Sequence, residues 1–368
     1  FRLRMRFMLN QLTSSKRLNH LKKTSFMTTD WHKFSIKQVA AQAGVSKATV
    51  DRVRHNRGFV HHQTIKRVEQ ALKELHEIDS HERVIGRTFY IDVVMHAPIR
   101  FSKAVQEAMQ HQVGAFPHIK IRPRFHLYEN VSIGELHLQL KKIAKRGSQG
   151  IILKAPDEPL INNTVNQLLS DQRIPTVTLV TDLPTSERLA YVGIDNKQAG
   201  ETAAYLIKNW LKNTGSGVLI GVSHELFRGE EQRAIAFSDW MKAHSPGTPL
   251  IQVQGSEGVD KPTYEAVTKA LSHHTNITAV YSAGGANRAI LKAFEDSGQP
   301  IDVFIGHDLD RDNKMLIAEH KISAVIHHDL NQDARSAFMH ILKYHRSIDL
   351  GTIPTSKLEV ITPYNQQT

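Results

Sequence analysis

Apolar and polar positions change their period along this chain. Ile36, Val39, Ala40 and Ala43 recur at helical spacing and share one face. Ser35 stands where a helix N-cap belongs, and Gly44 suits the left-handed residue that ends such a helix. Val45 fills the corner, Ser46 caps a second helix, and Thr49, Val50 and Val53 follow along it. A third helix is predicted from about Gln63 to Leu75, with Thr64, Val68, Leu72 and Leu75 inward. Two short helices around a glycine turn form a helix-turn-helix. From Phe89 short apolar runs alternate with helical patterns. F-Y-I-D-V-V-M (89–95), I-R-P-R-F-H-L-Y (121–128), G-I-I-L-K-A (150–155), T-V-T-L-V-T (176–181) and Y-V-G-I-D-N (191–196) read as strands. The second half repeats the scheme at 217–222, 251–255, 279–283 and 303–307. The predicted fold class is a small all-α domain followed by α/β, with parallel sheets covered by helices in two lobes.

Composition narrows the function. No run of about 18 apolar residues occurs, so no membrane-spanning helix is predicted. Cysteine is absent, which removes disulfides and thiolate chemistry. The net charge of +11 is not spread evenly: residues 1–83 hold 17 Lys+Arg against 7 Asp+Glu, and the remainder 30 against 29. A basic module on a neutral body is the electrostatic footprint of DNA binding. The predicted order is a basic extension (1–32), the helix-turn-helix (33–78), a polar connector (79–88) and the α/β body (89–368). The extension is expected to be disordered or to lie upstream of a true start at Met27.

The start of the second helix enters the major groove in a helix-turn-helix. Lys47 and Ala48 lie there, with Asp51 and Arg52 one turn on. Arginine can hold both acceptors of a guanine edge. Ser35, Ser46, Thr49 and Asn56 are candidate phosphate donors, which set register without reading sequence.

The string V-A-x-x-A-G-V-S-x-A-T-V-x-R-V, from Val39 to Val53, resembles the headpiece of the LacI/GalR family of bacterial transcription regulators. Asn56 and Gly58-Phe59-Val60 continue the likeness, and aspartate at 51 replaces the serine common there. The family's Ala-Arg-x-Leu hinge pattern is missing from D-S-H-E-R-V-I-G-R-T (79–88). The resemblance extends over about 34–360 and implies a periplasmic-binding-protein-like sensor, with lobe 1 at about 89–193 and 328–358 and lobe 2 at about 194–325. It further implies a cytoplasmic, nucleoid-associated homodimer on double-stranded operator DNA, acting as a repressor.

In such sheets ligands lie beyond the carboxyl ends of the strands. That rule selects Arg100, Phe101, Asp157 and Asp182, with Asp195 at the lobe crossover. The resemblance adds Arg233, Asp308 and His328, and Asn287 stands in for an Asn-Asp pair absent here. Carboxylates, amides and an aromatic face suit a sugar, polyol or sugar acid. No metallohydrolase, nucleophile-elbow or P-loop string occurs, so neither catalysis nor a cofactor or metal is predicted. The rival reading, a transport solute-binding protein, is disfavoured by the headpiece and by the lack of an export signal.

Overall fold

The computed structural model describes residues 31, 33–84, 88–116, 119–213, 215–223, 227–254, 258–345 and 351–366, with the backbone alone over 76–84. Apart from Trp31, the predicted extension and its Met27 start lie outside the described residues. The chain divides into two compact units, the first ending at Ile85 in sequence and the second beginning at Gly86.

The first unit contains α1 (Ile36–Ala43), α2 (Lys47–Arg54) and α3 (His62–Val84). Ser35 and Gln38 form a reciprocal capping box at α1: Gln38 N donates to Ser35 Oγ and Ser35 N to Gln38 Oε1. Gly44 ends α1 at φ 62°, a conformation that costs glycine nothing. Ser46 caps α2 by accepting from Thr49 N at 3.1 Å. Val39, Ala40, Ala43, Val50, Val53, Val68, Ala71 and Leu72 make one buried core with Trp31 and Phe34. Each large aliphatic there stabilises the unit by about 1.5–3 kcal/mol. Ile65 joins that core, a position the predicted inward set did not include.

One expectation is corrected. The third helix does not stop near Leu75 but continues to Val84, through most of the stretch read as a connector. E-L-H-E-I-D-S-H-E-R-V contains no glycine or proline, and polarity alone does not end a helix.

The second unit holds two parallel α/β layers. Lobe 1 carries β1 (Thr88–His96), β2 (Lys120–Tyr128), β3 (Gly150–Lys154), β4 (Thr176–Leu179) and β5 (Ala190–Val192), in the order β2-β1-β3-β4-β5. Its helices include α4 (Ile99–Gln112), α5 (Ile133–Arg146) and α6 (Pro159–Gln172). β4 ends sooner than predicted because Val180 takes φ 66°, which breaks the extended run.

Lobe 2 begins with α7 (Asn196–Trp210), β6 (Gly217–Gly221) and α8 (Arg228–His244). It continues through β7 (Leu250–Val253), α9 (Asp260–His273), β8 (Ile277–Ser282), α10 (Asn287–Ser297), β9 (Val303–His307), α11 (Arg311–Ala318) and β10 (Ala324–His327). The chain then returns to lobe 1 as α12 (Leu330–Tyr344), which packs on α4, and crosses again to β11 (Glu359–Ile361). The order is β11-β10-β9-β8-β6-β7, parallel except for β11. Every strand of lobe 1 and β6 to β10 of lobe 2 run parallel, so the loops at their carboxyl ends all open into the space between the lobes.

Candidate functional site

Each unit presents a surface that its fold does not consume. In the first it is the outer face of α2. Val50 and Val53 turn inward, which leaves Lys47, Ala48 and Arg52 exposed and Thr49 and Asp51 half-buried. The predicted phosphate donors are partly committed: Ser35 and Ser46 act as helix caps, and Ser46 Oγ lies 2.8 Å from Thr49 Oγ1. Asn56 is exposed and sits at φ 52° just beyond α2.

The second surface is a cleft between the lobes with about 730 Å³ of space free of atoms, part of it open to solvent. Lobe 1 contributes the loop after β1, with Pro98, Arg100 and Phe101, then Lys154 at the end of β3 and Val180 and Thr181 after β4. Lobe 2 contributes Phe227, Glu230 and Arg233 from the start of α8, Gly284 to Arg288 after β8, and His307, Asp308, Asp310 and Asn313 after β9. Val180, Ala286 and Asp308 all take positive φ without being glycine, so backbone strain gathers at this cleft.

The lobes are held together across it. Arg100 Nε lies 3.1 Å from Asp310 Oδ2 and its Nη2 donates to Gly258 O at 3.0 Å. Arg228 Nη1 lies 3.2 Å from Asp157 Oδ2, and Gly229 N donates to Thr181 Oγ1 at 3.3 Å. Asp157 thus serves as a latch between the lobes and does not line the cleft.

Polar groups are buried deep in the cleft. Arg233 is 2 % exposed; its Nε donates to Asn196 Oδ1 at 2.7 Å. Arg233 Nη2 and Asn287 Oδ1 are buried without a hydrogen-bond partner among the described residues, and Asp308 Oδ1 has His328 Nε2 at a long 3.4 Å. Such groups are costly unless something satisfies them. Burial works to raise the Asp308 carboxyl, but His328 and Arg233 outweigh it and hold it well below the usual range. Lys154 is buried with its ammonium 3.9 Å above the Phe227 ring. Burial pulls its pKa down to about 8, partly offset by Glu230 and Asp308. Glu230 accepts from Ser223 N at 2.9 Å and Ser223 Oγ at 2.5 Å. His307 falls well below 6.5 through burial and the nearby Arg233 charge, so the ring is neutral. Its Nε2 lies 2.9 Å from Tyr281 OH.

Of the residues expected here, Arg100, Phe101, Arg233, Asn287 and Asp308 reach the cleft. Asp182, Asp195 and His328 are corrected. Asp182 is bound by Arg188 and Thr178 and faces a separate hollow beside the crossover at 191–196. Asp195 caps α7, accepting from Lys197 N and Gln198 N. His328 is fully buried behind Asp308, 3.4 Å from it, and its other nitrogen bonds Asp333. Burial lowers its pKa, but the two carboxylates prevail and raise it to about 9. Absent from the expected set are Glu230, Asp310 and Asn313, which the helix-start pattern around Arg233 and the strand-end rule for β9 would have included.

Two α/β lobes that close over buried, unsatisfied polar groups define a ligand-binding sensor. Residues 93–346 match the family described as "Periplasmic binding protein domain", and the chain belongs to that family. Residues 35–76 match "Bacterial regulatory proteins, lacI family". The curated relatives include the HTH-type transcriptional regulator MalR of Streptococcus pneumoniae, 27% identical over 258 residues, covering 67% of this chain and 74% of MalR. Among solved structures, the glucose-galactose binding protein GanP from Geobacillus stearothermophilus shares the fold at TM-score 0.67 and 20% identity, over 76% of this chain and 99% of GanP. An ABC transporter solute binding protein from Burkholderia graminis, solved with D-arabinose, gives TM-score 0.66 and 16% identity, over 75% of this chain and 96% of its own. With a lacI-type module joined to a sensor of this fold, the chain is a DNA-binding transcriptional regulator. No helix among the described residues is long and apolar enough to cross a membrane.

Proposed function

We propose that this regulator reads a small polyhydroxylated effector (a sugar, polyol or sugar acid) in the interlobe cleft and converts its binding into a change of operator affinity. The observation that carries the reading is a set of buried polar atoms: Arg233 Nη2 and Asn287 Oδ1, which have no hydrogen-bond partner among the described residues, and Asp308 Oδ1, whose long 3.4 Å ion pair with His328 leaves it room to accept. They offer a donor and two acceptors within one cleft, which is the complement of a run of hydroxyls. Lys154, Arg100 and Arg233 extend the class to sugars with a carboxylate. A glucose-galactose binding protein and a solute binding protein solved with D-arabinose, both of this fold, support the same class.

On the DNA side, Lys47, Ala48, Thr49, Asp51 and Arg52 are the groove-facing set, with Ser35, Ser46 and Asn56 at the backbone. A homodimer on a near-palindromic operator follows from two-fold symmetry. Repression in the cytoplasm is the proposed mode. No catalytic role is assigned, and among the described residues no group of three His, Asp or Glu is placed to hold a metal. The transport reading shares the fold but leaves the lacI-type segment at 35–76 without a use.

A thermal-shift screen against sugars, polyols and sugar acids tests the effector. A ligand should raise the melting temperature of the wild-type chain by mass action. The same ligand should leave Arg233→Ala and Asp308→Ala unshifted at that concentration. Equal shifts in all three proteins would remove the cleft from the account.

A further inference from the structure

The turn after α2 brings an ion pair onto the groove-facing side of that helix. α2 ends in a Schellman motif: Arg57 N donates to Arg52 O at 2.8 Å, and Asn56 N to Val53 O at 3.1 Å. Asn56 supplies the left-handed residue, φ 52°, that the motif requires. The reversal sends the Arg57 side chain back along the helix. Its Nη1 comes to rest 3.0 Å from Asp51 Oδ2, and His55 Nδ1 lies 3.0 Å from the other oxygen. Asp51 stands in the middle of the exposed stripe of Lys47, Ala48, Arg52 and His55, one and two turns along the helix. A lone carboxylate there would repel phosphate. Paired with an arginine, it becomes neutral overall and instead fixes a guanidinium beside the groove.

We propose that Arg57, held in place by Asp51, is a base-reading arginine that acts alongside Arg52 and recognises guanine. Asp51 occupies Nη1, which leaves Nε and Nη2 as the parallel pair that a guanine edge accepts from. Asp51 is a positioning residue: it removes the freedom of a long side chain before DNA arrives. The pair is largely solvent-exposed, 66 % for Arg57 and 34 % for Asp51, so it adds little to stability and its variants retain the fold. This inference rests on the assignment of α2 to the major groove.

The test is selection from a pool of random-sequence duplex DNA with the full chain, for wild type, Arg57→Ala, Asp51→Asn and Arg52→Ala. Wild type should enrich a motif. Arg57→Ala should lose the G·C preference at one position of each half-site, by on the order of tenfold, and keep the others. Asp51→Asn, with Arg57 intact, should relax the same position. Arg52→Ala should relax a different position. An unchanged motif in Arg57→Ala overturns the proposal. So does a uniform loss across sequences with a salt slope smaller by about one, the mark of a phosphate contact. If wild type enriches no motif, or Arg52→Ala alters none, the groove assignment of α2 falls first and this inference with it.

Discussion

Gly200 offers a perturbation in which two known effects have opposite signs. It lies in α7 against α8, and a Cβ built there would sit 3.0 Å from Phe237 N and 3.1 Å from Ala236 Cβ. It would also drive into the Arg233 carbonyl oxygen, roughly 1 Å inside an ordinary contact. Helix propensity alone would make Gly200→Ala stabilising by about 1 kcal/mol. The overlap is with backbone, which has no rotamer to change, so α8 must move away; overpacking of this kind costs about 1–3 kcal/mol. We expect the overlap to win because every atom it meets belongs to the backbone or the short side chain of a buried helix. With the propensity gain subtracted, the net loss of up to about 2 kcal/mol should lower the sensor transition in calorimetry by up to about 8 °C, at 2–4 °C per kcal/mol for a domain near this size. The displaced residue is Arg233, whose Nε to Asn196 bond of 2.7 Å fixes its guanidinium in the cleft. Effector affinity should therefore fall with stability. A Gly200→Ala protein that melts at or above the wild-type temperature would refute the close-packing argument.

Other outcomes follow from the same geometry. Ser46→Ala removes the cap on Thr49 N and should destabilise the first unit by about 1 kcal/mol, read by chemical denaturation, while Ser46→Gly costs only a few tenths. His328→Gln leaves Asp308 and Asp333 without their imidazolium. The folded pKa of about 9 lies above the ordinary 6.5, so the wild-type contribution is complete below pH 6.5 and disappears as pH rises through 9. The gap in melting temperature between the two proteins should shrink over that window, and a gap independent of pH would contradict a charged His328. Lys154→Met should abolish binding of a carboxylate-bearing effector more than that of a neutral one, as read by calorimetry.

The first unit was legible almost residue by residue, because its helices are set by local signals: Ser35 and Gln38, Gly44, Ser46. The end of α3 was not, since helix continuation depends on the absence of breakers more than on apolar pattern. In the second unit the resemblance led to Arg233, Asn287 and Asp308, and the rule that ligands gather at strand ends led to Arg100 and Phe101. It failed for Asp182 and Asp195 because a carboxylate after a strand has competing local uses. Arg188 lies six residues from Asp182, and α7 begins directly after Asp195. His328 was placed by likeness to a glutamine position, yet a ring between two buried carboxylates is drawn away from the cleft. Lys154 lies three residues before Asp157 at the same strand end, and the fold turns the lysine inward against Phe227 while the aspartate turns to Arg228.

The central claim is that cleft occupancy and DNA affinity are coupled. Fluorescence anisotropy with a labelled duplex selected by the wild-type protein measures it most directly, with and without a saturating ligand from the thermal screen. A coupling of about 1–3 kcal/mol should shift the dissociation constant by roughly 5–150-fold, and the shift should vanish in an Arg233→Ala, Asp308→Ala double variant that still binds the duplex. Identical duplex affinity with the cleft empty and saturated would contradict the account.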